Sequence, residues 1–107
     1  MKLVFDEARF DARQLFLMEK IVETLLDGLR SAGVDDSQTL HDATSDMAFS
    51  LACILDGSRI MELDGEPVLP FIGFANERDG DEIVVSEAGT WMHEYSHGTV
   101  SDVFDRE

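Results

Sequence analysis

Between Asp11 and Ala32 the apolar residues Leu15, Met18, Val22, Leu25, Leu29 and Ala32 recur at intervals of three and four. Leu17, Ile21 and Leu26 widen that band. Only a long amphipathic helix places these residues on one side, so the rest of the chain must supply something for a broad apolar face to cover. Asp11 and Gln14 have the spacing of a capping box, and Gly33 is suited to the left-handed stop. Gly28, inside the pattern, costs about 1 kcal/mol relative to Ala and is its weakest point.

After Val34-Asp35-Asp36 a second helix is expected from Ser37 to Asp56, ended by Gly57, with Leu40, Thr44, Met47, Leu51 and Ile54 as its buried line. So short a connector forces the two helices into an antiparallel hairpin. The face of the first helix is wider than one helical neighbour needs, so it should also cover a sheet or form a homodimer contact.

The period changes after Gly57. Residues 59–63 and 68–75 read as strands joined at Asp64-Gly65, a pair that supplies the positive φ of a tight hairpin. Pro67 and Pro70 cannot donate ladder hydrogen bonds and place that stretch at an edge. The acidic turn 76–82 leads to a third strand at Ile83-Val84-Val85. It is not a calcium loop: aligning Gly80 with the obligatory glycine puts Ala75 and Ser86 where carboxylates are required. The expected fold class is α+β in a single domain over 1–107. An antiparallel helical hairpin at about 11–56 packs on a small antiparallel sheet of about three strands within a β-rich half at about 59–107, which ends in a short helix or strand.

The 23 Asp and Glu against 8 Lys and Arg give a net charge of -15. Phosphate backbones would be repelled, which excludes direct nucleic-acid binding as an expectation. A basic protein partner is the charge-complementary alternative to a merely solubilising surface. Cys53 is the only cysteine, so no internal disulfide forms, and a reducing, cytoplasmic setting is expected. With no cation beside it in sequence, Cys53 reads as a small core residue. No apolar run develops into a signal peptide or a membrane span.

One run carries a chemical possibility. His93, Glu94 and His97, in "HEYSH", have the H-E-x-x-H spacing by which one helical turn offers two imidazoles to zinc and a carboxylate to its bound water. The ligands converge only on a helix; in a strand Glu94 would face away from both histidines. Ala88, Met92 and Tyr95 step as a helix does, with Ser86 as a cap and Gly98 as a stop, while Thr90, Trp91 and Tyr95 are good strand formers. The run resembles the zincin metallopeptidases over about a dozen residues. That resemblance implies His93 and His97 as zinc ligands and Glu94 as the catalytic base. A third ligand is required; the metzincin positions for it and for the turn glycine are held by Val103 and Val100, and Asp102 is the nearest acid. His41 and Asp42 diverge around the second helix, and Ser45 lies within reach of His41. The leading expectation is a non-enzymatic, acidic, intracellular interaction module without a cofactor. The alternative is a small zinc-dependent hydrolase using His93, His97, Glu94 and Asp102.

Overall fold

A computed structural model describes all residues from Met1 to Glu107. The elements run β1 (Lys2–Phe5), α1 (Glu7–Ser31), α2 (Ser37–Leu55), β2 (Glu62–Leu63), β3 (Glu66–Pro67), β4 (Glu82–Val85) and α3 (Met92–Asp105). The antiparallel hairpin of α1 and α2 is present.

α1 begins four residues earlier than the expected Asp11, because Asp6 caps it: its carboxylate accepts the Arg9 N–H at 3.1 Å and lies at the positive end of the helix dipole. Asp11 and Gln14 do bond, Nε2 to Oδ1 at 2.9 Å, but within the helix and not at its start. The buried line of α1 is Phe10, Gln14, Met18, Val22 and Leu26, a strict step of four. Gly33 ends the helix with φ +95°. At the head of α2, Asp36 accepts the Thr39 hydroxyl at 2.7 Å and the Thr39 N–H at 2.9 Å. Those two bonds, the hydroxyl first, hold the Asp36 carboxyl below its usual range.

Two expectations for α2 and α3 are corrected. In α2 the buried line is Leu40, Thr44, Ala48 and Ala52, while Met47 and Leu51 are partly exposed. The alanines are small, so a neighbour can approach α2 closely there, and that close approach outweighs the larger side chains of the expected line. α3 does not stop at Gly98; it begins later, after a turn at Ser86–Gly89, and continues to Asp105. Gly98 weakens the helix by about 1 kcal/mol, but the turns beyond it bury Val100 and Val103, each worth about 1.5 kcal/mol or more.

The largest correction concerns what the hairpin covers. Met18, Val22 and Leu26 of α1 and Leu40, Ala48 and Ala52 of α2 close on Met92, Val100 and Val103 of α3, so the core lies between three helices. No three-stranded antiparallel sheet forms. β4 pairs in parallel with β1, Lys2 opposite Glu82 through Phe5 opposite Val85, and on its other side makes one antiparallel bridge to Phe74. The Asp64-Gly65 turn does form, with φ 52° and 81°, but β2 and β3 have two residues each; Pro67 pairs with Glu62 at a position that needs no N–H, and the last rung, beyond it, is Val68 N–H to Met61 C=O at 2.9 Å. No helix is long and apolar enough to cross a membrane.

Candidate functional site

The "HEYSH" run lies on α3, so His93 and His97 share one side of it, and that side faces α2. Along the seam the two helices run antiparallel. The His41 ring meets Phe104 at 5.1 Å, Ser45 meets His97, Phe49 meets both His97 and His93, and Asp56 meets His93. The α2 residues recur at 41, 45, 49 and 56, the spacing of one helical stripe.

Asp56 is the centre of the arrangement. It stands at the C-terminal end of α2, where Gly57 (φ +78°) turns the chain away, and its side chain has no solvent exposure. It accepts the backbone N–H of His93 at 3.0 Å, which gives α3 the cap that Trp91, the residue at its own N-terminus, does not provide. It also accepts the His93 ring at Nδ1 and the Ser58 N–H at 3.0 Å. Burial pushes the Asp56 carboxyl up, but the bonds from the His93 N–H, the His93 ring and Ser58 outweigh it and hold the group below the usual carboxylate range. An anion that accepts from Nδ1–H leaves Nε2 of His93 as the free acceptor.

His97 is held differently. Its Nδ1 pairs with Ser45 Oγ at 2.7 Å, and its ring stacks on Phe49 at 5.3 Å and 13°. The same Phe49 ring meets His93 edge-on at 6.1 Å, and Trp91 tilts against His93 at 6.1 Å. Ser45 therefore bonds His97 and not His41. His41 lies 3.7 Å from Asp42, a long contact between two exposed side chains.

Neither serine is arranged as a nucleophile. A Ser-His-Asp relay places acid and serine on opposite ring nitrogens, whereas Ser58 and Asp56 share Nδ1 of His93, with Ser58 Oγ at 3.0 Å. Ser45 has a histidine, but that histidine has no carboxylate partner. The Cys53 thiol is not activated either: burial, and then the negative charge of Asp56, push its pKa up.

The residues expected to bind zinc are only partly brought together. His93 and His97 share a face; Glu94 is exposed one position around the helix; Asp102 lies nine residues after His93, about half a turn away, and is exposed. No group of three or more His, Cys, Asp or Glu side chains is placed to hold a metal ion. On this face His93 and His97 supply two imidazoles, where a catalytic zinc site takes three protein ligands. Asp56, Ser58 and Phe49 belong to no local motif, and Ser45 pairs with His97 and not with the nearby His41, because the partners in this seam lie 35 to 52 residues apart.

No protein-family model, curated protein or solved structure matches this chain.

A second surface has another character. From Ser58 to Phe71 the chain forms an arm in which Ile60 (89% exposed), Leu63 (68%), Leu69 (70%) and Phe71 (72%) face solvent, with Glu62, Asp64 and Glu66 between them. Only three Lys or Arg ion pairs form in the molecule, Lys20–Glu23, Arg30–Glu107 and Arg106–Glu19, so most of the 23 carboxylates have no cationic partner.

Proposed function

We propose that this chain is a non-enzymatic, acidic interaction module of the cytoplasm that docks a basic protein through the 58–71 arm. The exposed apolar side chains on that arm, interleaved with acids, carry the reading. An interface needs apolar anchors for affinity and charge for approach and discrimination, and the arm carries both. The surrounding charge of -15 would speed encounter with a cationic surface and repel nucleic acid. The single free cysteine is in keeping with a reducing compartment. Capture experiments with wild-type protein and the Leu63→Ser/Phe71→Ser variant, at low and high salt, test the reading. A basic protein should be retained by wild type at low salt only and by the variant at neither; capture indifferent to both salt and the substitutions would refute it.

A second reading, zinc binding by His93 and His97, has one observation in its favour. Each imidazole is anchored through Nδ1, as ligating histidines are, which leaves Nε2 to bind. Titration of zinc into protein without a histidine tag tests it: saturable binding lost in His97→Ala supports the reading, and no binding ends it. Hydrolysis with Glu94 as base would need a further ligand beyond this pair, since Asp102 points elsewhere.

A further inference from the structure

We propose that β1 is a self-complementary edge through which two copies of this chain pair, antiparallel, about Val4. β4 is flanked by β1 on one side and by Phe74 on the other, whereas β1 has β4 as its sole neighbour. The Lys2 N–H donates to Asp81 C=O, so the backbone groups of Lys2 and Val4 are turned to β4. Those of Leu3 and Phe5 are turned to the open side. Their side chains are exposed as well, at 54% and 56%. An open edge with apolar side chains is a template for another strand.

The sequence Lys2-Leu3-Val4-Phe5-Asp6 fixes which strand fits. Laid antiparallel on itself about Val4, it sets Leu3 opposite Phe5 of the second copy, and Phe5 opposite Leu3. These are the two outward-facing residues, so each pair exchanges two main-chain bonds and packs an aromatic ring on an aliphatic side chain. At the two ends Lys2 meets Asp6 of the second copy. Lys2 has no ion-pair partner within its own chain, and Asp6 uses only Oδ1 to cap α1, leaving Oδ2 free. Moving the register by two residues in either direction loses both charge pairs. The charge complementarity therefore selects a second copy over an unrelated strand, even though each copy carries -15 overall. Four residues a side is a small contact, well under about 1,200 Å², so the pairing is weak and concentration-dependent. It involves neither the arm nor the histidines, and its failure would leave those readings untouched.

Sedimentation velocity on the full chain, from about 10 µM to about 1 mM at near-physiological salt, tests the proposal. Wild type should shift from monomer to dimer over that range. Leu3→Pro removes an outward N–H without disturbing the bonds to β4 and should weaken the dimer at least about tenfold. Lys2→Glu, which sets like charges together at both ends, should do the same while leaving the far-ultraviolet dichroism of the dilute protein unchanged. If Leu3→Pro fails to fold, Lys2→Glu decides. A wild type that stays monomeric throughout, or a dimer that survives Lys2→Glu, overturns the proposal; in the latter case Phe16→Ser would ask whether the exposed side of α1 is the contact instead.

Discussion

The three helices and the arm at 58–71 are built from similar proportions of apolar residues and put them to opposite uses. In α1, α2 and α3 the apolar positions converge on one interior, and Met18, Val22, Ala48, Ala52, Met92 and Val100 are fully enclosed. On the arm, Ile60, Leu63, Leu69 and Phe71 remain largely exposed and form no interior. The difference lies in period and length. A helix repeats its apolar side over many turns and gains burial with each, whereas two-residue strands interrupted by Pro67 and Pro70 form no face that could close on a core. Hydrophobicity by itself therefore says little about which residues hold this molecule together.

That contrast can be broken most sharply in the core. Leu26→Ala should lose about 3 kcal/mol, read as a lowered urea midpoint, since a buried leucine leaves a cavity among helices that cannot collapse into it. Asp56→Ala should cost about 2 kcal/mol by removing the cap of α3 and leaving the His93 N–H without its acceptor. The same residue predicts a pH dependence. Its folded carboxyl lies below the usual range, so the folded state binds fewer protons; the stability it contributes is complete above about pH 4, the ordinary aspartate value, and is lost as pH falls through the lowered folded pKa. Subtracting the acid denaturation profile of Asp56→Asn from that of wild type should isolate this limb, and identical profiles would refute it. Gly98→Ala should stabilise the protein by about 1 kcal/mol, because a methyl group there meets nothing within 4 Å and the residue lies inside a helix. The arm provides the smallest effect: Ile60→Ser should leave the thermal midpoint within the shift expected of about 0.5 kcal/mol, and a larger loss would mean that the arm belongs to the core after all.

The helical hairpin was legible because its signals are local. Gly33 and Gly57 ended the two helices where they were expected to, and the Asp64-Gly65 turn formed with both φ values positive. Pairings across long stretches of chain leave no such local signal. β1 joins β4 across some 80 residues through a strand of four, too short for any alternation to register. Local propensity ends α3 at Gly98; the burial of Val100 and Val103 beyond it carries the helix on. The metal motif was half visible. The spacing of His93 and His97 sets them on one side once α3 forms, but their partners lie along α2 and at its end, and nothing near them in sequence points to Asp56 or to Ser45 as those partners. Spacing alone also singles out Glu94 and Asp102, which helix geometry separates from that side.

Asp56 and His93 also have a topological consequence. Their contact ties the end of one helix to the start of another and closes the neck of a loop that holds the arm. The entropy of closing such a loop grows only with the logarithm of its length, about 0.6 kcal/mol for each doubling. Changes in chain length between Ile60 and Phe71 thus cost little closure entropy for as long as the neck stays shut. The molecule thus separates the contacts that hold its helices together from a stretch of chain whose length they do not constrain.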